Sequence, residues 1–63
     1  MSRKKTDTLR LNWMIRKGAY CYKTASETWE VGTGDEGYIT HASDPRMAID
    51  KAIDITDPKI VAM

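Results

Sequence analysis

The sequence predicts an α+β domain: a three- or four-stranded antiparallel sheet with one C-terminal helix packed on one face. Three observations support this prediction. From residue 9 to residue 16 every second residue is apolar and the residues between them are mostly polar and basic, which is typical of a half-buried strand. Short β-branched and aromatic segments follow, separated by turn-forming residues. A capped amphipathic segment then begins at Asp44 and ends at Asp57.

The first two strands are predicted to form a hairpin over residues 9–24. One side of the first strand is apolar and consists of Leu9, Leu11, Trp13 and Ile15. Lys17-Gly18 supplies the turn, since glycine adopts positive φ without steric cost. "AYCYKT" is the second strand, in which Tyr20 and Tyr22 point to one side. The helix is expected to cover the apolar side and to leave the opposite sheet face exposed.

The rest of the chain alternates strands with turns. "TWEVG" predicts a third strand with Trp29 and Val31 on one face, "GTGDEG" a loop, and "YITHA" a further strand. Asp44 is a suitable N-cap and Pro45 a suitable first helical residue. The predicted helix stops at Asp57-Pro58, because proline disfavours the helical conformation of the preceding residue.

The 63-residue chain is expected to form one small domain. We predict a flexible basic arm over residues 1–8, the folded domain over residues 9–57 and a short apolar tail over residues 58–63. No apolar run has the length of a membrane span or signal peptide. A cytoplasmic location, in a bacterial host cell, is therefore expected.

An enzyme is not expected, and neither is a cofactor or a metal site. Cys21 is the single cysteine and His41 the single histidine, too few for an internal disulfide or a structural zinc site. The acidic residues cluster in a glycine-rich loop and on a helix face, where they are typical of solvated charge. "GTG" and "GDEG" lack the lysine and following helix of a phosphate-binding loop.

Charge is distributed unevenly along the chain, although the formal net charge is only +1. Residues 1–25 carry seven basic residues and one acidic residue, a net charge of +6, whereas residues 26–63 carry three basic and eight acidic residues, a net charge of −5. This asymmetry favours a surface that binds a polyanion. Chance segregation of charge in a small domain is the alternative interpretation.

Double-stranded DNA is the polyanion that this pattern favours. Lys and Arg on one surface supply phosphate contacts, an antiparallel ribbon fits the major groove, and a basic arm can enter the minor groove. The predicted DNA-binding residues are Arg3, Lys4, Lys5, Arg10, Asn12, Arg16, Lys17 and Lys23. The alternative is that these residues only keep an exposed sheet face soluble.

Two segments resemble a known family. "GAYCYK", preceded by "MIRKG", is similar to the first hairpin of the N-terminal arm-site DNA-binding domain of lambdoid phage tyrosine integrases. "DPRMAIDKAI" resembles the opening of that domain's helix, and "SRKK" its basic tail. The resemblance covers about half of the chain. It implies a role in phage DNA recombination, with a three-stranded sheet in the major groove, contacts from Arg16, Lys17 and Lys23, and Arg3, Lys4 and Lys5 in the adjacent minor groove.

The segment between the second strand and the helix departs from the family pattern. It is longer and more acidic, and Glu27, Glu30, Asp35 and Glu36 would repel phosphate if they faced the same groove. No recombinase domain follows, so we expect no strand cleavage. Two interpretations of the chain are therefore kept: a domain cut out of a longer protein, and a complete small protein of a phage or mobile element.

A second hypothesis is a small phage accessory protein that binds and inhibits or regulates a host protein. It would use "GTGDEG" and the acidic helix face against a basic partner, with Trp29 or Tyr38 as an anchor. A third is a folded fragment without activity of its own.

Overall fold

A computed structural model describes residues 5–57 of the chain. Its elements are α1 (Asp7–Lys17), β1 (Ala19–Lys23), β2 (Trp29–Thr33), β3 (Gly37–Ala42) and α2 (Pro45–Thr56). The three strands form one antiparallel sheet in the order β1-β2-β3. The predicted α+β class is confirmed, with a second helix at the N-terminal side. The predicted tail and the first four residues of the predicted arm lie outside the described residues.

The predicted first strand, and with it the hairpin over residues 9–24, is wrong: this segment is α1. Residues that cap a helix stand at both of its ends, Thr6 at the start and Gly18 at the end. The Thr6 side chain accepts a hydrogen bond from the Leu9 backbone N–H at 3.1 Å, and Gly18 has φ 62° and a backbone N–H that bonds the Ile15 carbonyl. Helix α1 begins inside the stretch predicted as the arm. β1 pairs with β2 instead of with the preceding segment.

The physical reason lies in how the apolar residues of α1 are buried. Leu9 and Trp13, four residues apart, share one helical face, and Trp13 is only 1% exposed. Leu11 and Ile15 lie on the opposite face and are 59% and 70% exposed. A strand would place all four on one side. The helix instead buries the largest of them and satisfies its own backbone hydrogen bonds.

The core lies between the helices and one face of the sheet. Helix α2 contributes Ala48, Ile49, Ala52 and Ile53, which pack with Trp13, Val31 and Ala42. Its predicted start is confirmed, since the Asp44 side chain accepts a hydrogen bond from the Met47 backbone N–H at 3.2 Å and Pro45 follows directly. Among the described residues, neither helix has the length and apolar character that crossing a membrane requires.

A β-bulge sets which side chains of β3 point away from the core. The β2–β3 pairing runs in register from Trp29 opposite Ala42 to Val31 opposite Thr40, then shifts so that Gly32 faces Tyr38. The extra residue, Ile39, packs against the core. As a result Tyr38 and His41 point to the same sheet face, although simple alternation would place them on opposite faces.

Candidate recognition surfaces

The sheet face opposite the helices is aromatic. We call it the tyrosine face and define it as Tyr20, Tyr22, Glu30, Gly32, Tyr38 and His41. The strand register arranges these residues in two rows, Tyr22–Glu30–His41 and Tyr20–Gly32–Tyr38. All three tyrosines of the chain are here, and they are 40–55% exposed. Within residues 5–57, both helices pack on the other face of the sheet, so nothing in this part of the chain covers the rings.

The rings of the tyrosine face form one stacked pair on each edge strand. On β1, the centroids of Tyr20 and Tyr22 are 5.9 Å apart with an interplanar angle of 28°. On β3, the centroids of Tyr38 and His41 are 6.2 Å apart, and the Tyr38 hydroxyl hydrogen-bonds His41 Nδ1. Two aromatic ridges therefore flank the central strand.

The central strand carries the only carboxylate of the tyrosine face. The Tyr22 hydroxyl donates a hydrogen bond to Glu30 Oε1 at 2.7 Å. This bond to the carboxylate raises the pKa of the Tyr22 hydroxyl above its ordinary value, so the hydroxyl loses its proton only at a higher pH than a free tyrosine does. Glu30 is half-buried between the two ridges. The carboxylate is thereby held at a defined position on a surface that contains no lysine or arginine.

Gly32 provides the space between the ridges. A Cβ atom at this position would overlap the Tyr20 hydroxyl and the Gly37 backbone carbonyl oxygen. The Tyr20 ring therefore reaches over the backbone of β2, and only glycine leaves room for it. Because Tyr20 faces Gly32 and Gly32 faces Tyr38, this row spans all three strands.

None of the described residues predicted to bind DNA lies on the tyrosine face. Of these six, four form ion pairs inside residues 5–57: Lys5 with Asp54 at 3.0 Å, Arg10 with Asp50 at 2.8 Å, Lys17 with Asp57 at 3.1 Å and Lys23 with Glu27 at 3.7 Å. The Arg10 side chain is only 13% exposed and also bonds Asp7 at 2.7 Å. Because Arg10 belongs to α1 and Asp50 to α2, this ion pair links the two helices. Arg3 and Lys4 lie outside the described residues.

The other two predicted residues, Asn12 and Arg16, are exposed on α1. They line a shallow open groove of about 400 Å³ together with Thr6, Thr8, Leu9 and Trp13. No carboxylate of residues 5–57 pairs with Arg16. This groove lies on a helix and not on the sheet, so the sheet surface of basic residues expected from sequence does not form.

The net charge of the described part of the chain does not favour binding of a polyanion. Residues 5–57 hold seven basic and nine acidic side chains, a net charge of −2. Asp35 and Glu36 are exposed in the β2–β3 turn, where the Glu36 backbone N–H donates to Thr33 Oγ1 at 3.0 Å. This acidic turn adjoins the Tyr20–Gly32–Tyr38 row.

Cys21 and His41 are the single cysteine and the single histidine of the chain, and they lie on opposite faces of the sheet. Cys21 packs on the helix side of the sheet opposite Val31, and burial raises the pKa of its thiol. His41 belongs to the tyrosine face. Across residues 5–57, no three His, Cys, Asp or Glu side chains come together as a metal site.

No protein-family model, curated protein or solved structure matches the chain.

Alternation in "AYCYKT" places Tyr20 and Tyr22 on one side, which the structure confirms, and Tyr38 stands among the predicted anchors. The position of His41 on the tyrosine face cannot be predicted from the sequence, because nothing in "YITHA" marks the bulge that places it there.

Proposed function

We propose that this domain is a protein-binding module and that the tyrosine face is its recognition surface. The observation that carries the proposal is the composition of this face: three tyrosines, one histidine, one glutamate and one glycine, with no lysine or arginine. Protein interfaces are enriched in tyrosine and depleted in lysine, and binding energy concentrates in a few aromatic anchors. This proposal develops the second of the two functions predicted from the sequence.

The preformed contacts of the tyrosine face also support the proposal. Its rings already stack in pairs, and the Tyr22 and Tyr38 hydroxyls already have hydrogen-bond partners. A partner would therefore bind side chains with little remaining rotamer freedom, which reduces the entropic cost of association. A tyrosine ring also combines a large apolar surface with a polar end, which suits a surface that alternates between water and a partner.

Duplex DNA suits the tyrosine face poorly. Phosphate contacts dominate affinity for DNA and require Lys or Arg, whereas this face has neither and carries the Glu30 carboxylate. The sheet-in-groove arrangement implied by the integrase resemblance would bring Glu30 and the acidic β2–β3 turn toward phosphates. Like charges opposed across an interface weaken binding and exclude the wrong partner.

Site-specific photo-cross-linking tests the proposal. A photoreactive phenylalanine analogue replaces Tyr38 on the tyrosine face or, as the matched control, Asn12 on α1; both positions are exposed. In extract of the native cells, the Tyr38 variant is expected to give a discrete protein adduct that excess unmodified domain suppresses, and the Asn12 variant is expected to give none. Adducts from position 12 alone, or no competed adduct from position 38, would contradict the proposal.

A second candidate function is binding of double-stranded DNA through α1. The observation that favours it is the pair of exposed side chains Asn12 and Arg16, one helical turn apart. Arg and Asn are the side chains that most often read guanine and adenine in the major groove. The segment with Arg3 and Lys4 precedes this helix directly and could add phosphate contacts. In this candidate the helix, and not the sheet, enters the groove.

A further inference from the structure

We propose that the tyrosine face binds an arginine side chain on a basic segment of its partner, with Glu30 as the counter-ion. This inference rests on the proposed protein-binding function and specifies the chemistry of the partner. It follows from the position of one carboxylate among four aromatic rings, from the free oxygen of that carboxylate and from the charge around the face.

Glu30 has one oxygen occupied and one available. Tyr22 donates to Oε1, and among the described residues no donor contacts Oε2. The fixed hydrogen bond orients the carboxylate, since it limits rotation of the Glu30 side chain. A guanidinium group carries several N–H donors in one plane and can therefore bond Oε2 while its remaining donors reach other acceptors.

The rings beside Glu30 provide the second part of an arginine site. The Tyr20–Tyr22 pair on one edge and the Tyr38–His41 pair on the other stand on either side of the central strand. A planar guanidinium stacks on an aromatic face more favourably than a compact ammonium, and it is less strongly hydrated. The face therefore selects arginine over lysine, although both carry one positive charge.

Charge complementarity indicates that the partner segment is basic. Glu30 on the face and Asp35 and Glu36 in the adjoining turn are all acidic, and the face contains no lysine or arginine. This arrangement attracts a positively charged segment and repels an acidic one. The exposed acidic turn lies at the Gly32 end of the surface, so a second basic residue of the same segment would meet it.

A peptide titration of the ¹⁵N-labelled protein tests this inference. The probe is a short glycine-serine peptide with two arginines; matched peptides carry lysine or citrulline, the uncharged analogue of arginine. The arginine peptide is expected to shift the amide signals of Tyr20, Tyr22, Glu30 and His41, the lysine peptide to bind more weakly and the citrulline peptide not to bind. Equal binding of the arginine and citrulline peptides, or no shifts on the face, would overturn the inference.

Two glutamate variants locate the counter-ion. Glu30→Gln keeps an acceptor for the Tyr22 hydroxyl but removes the charge, and is expected to weaken binding of the arginine peptide by about three- to tenfold. Glu27→Gln makes the same charge change in the β1–β2 turn, where the side chain is 82% exposed, and is expected to leave binding unchanged. Equal affinities of the two variants would overturn the assignment of Glu30. The wild-type comparison of arginine with citrulline stays decisive even if Glu30→Gln folds poorly.

Failure of this inference is distinguishable from failure of the proposed function. A competed protein adduct from position 38 without arginine-peptide binding would leave the protein-binding function and reject arginine as the ligand. Shifts of the face amides on simple dilution, without any peptide, would assign the face to a second copy of this chain and overturn the inference.

Discussion

Replacing Trp13 with alanine is expected to unfold a large fraction of the protein. Trp13 is 1% exposed, and its indole N–H donates to Asp57 Oδ2 at 2.7 Å. Truncation of a buried tryptophan costs about 3–5 kcal/mol, whereas a domain of this size has a total stability of only about 3–9 kcal/mol. Loss of the hydrogen bond to Asp57 destabilises the variant further, beyond the effect of the cavity. This bond lowers the pKa of Asp57 and so stabilises its charged form. Urea denaturation followed by circular dichroism measures the effect.

Leu11→Ala is the matched control for Trp13→Ala. Leu11 lies on the same helix but is 59% exposed, so its truncation is expected to change the free energy of unfolding by less than about 0.5 kcal/mol. A strand over residues 9–16 would place Leu11 and Trp13 on the same buried side. Comparable losses in the two variants would therefore contradict α1 and favour the strand.

Replacing Gly32 with alanine is the second prediction with a large expected effect. The added Cβ would overlap the Tyr20 hydroxyl and the Gly37 carbonyl oxygen. The tyrosine can rotate away, but the backbone carbonyl can move only by distorting the β2–β3 pairing. Over-packing of this kind costs about 1–3 kcal/mol. We therefore expect a lower urea midpoint and, because Tyr20 must leave its place over β2, weaker binding at the tyrosine face.

Gly34→Ala is the control for the glycine substitution. A Cβ at Gly34 meets no atom within 4 Å, so this variant is expected to match the wild-type stability within about 0.5 kcal/mol. The same methyl group is added two residues away, outside the strand. A stability loss in Gly34→Ala equal to that in Gly32→Ala would show that the packing of Tyr20 over Gly32 is not the cause.

The elements from β1 onward are predictable from sequence because their signals are local. Tyr20 and Tyr22 alternate with Cys21, turn residues separate the strands, and Asp44-Pro45 marks the start of α2. Each signal depends on residues that are close in the chain. These signals suffice for the strands, for α2 and for the α+β class.

The first element could not be assigned from periodicity alone. Residues 9, 11, 13 and 15 alternate as in a strand, but positions 9 and 13 also have helical spacing. Two facts decide the matter, and both depend on tertiary structure: Trp13 packs against α2, and Arg10 pairs with Asp50 across 40 residues. Thr6 and Gly18 were the available local signals for helix ends.

The candidate site shows the same division between local and long-range information. The acidic partners of Lys5, Arg10 and Lys17 lie in or directly after α2, so three of the five basic side chains in residues 5–25 are paired by contacts that no local pattern reveals. The bulge at Ile39 is equally invisible, and it brings His41 beside Tyr38. Charge counting along the chain therefore favoured a basic sheet surface where the fold places an aromatic one.

The most direct test of the tyrosine face as a protein-binding surface is an NMR footprint of the ¹⁵N-labelled protein in native-cell extract, before and after nuclease treatment. We expect selective broadening of the amide signals of Tyr20, Tyr22, Glu30, Tyr38 and His41, and we expect it to persist after nuclease treatment. Broadening confined to Thr8, Asn12 and Arg16 of α1, abolished by nuclease or by moderate salt, would contradict the proposal and favour DNA binding through the helix.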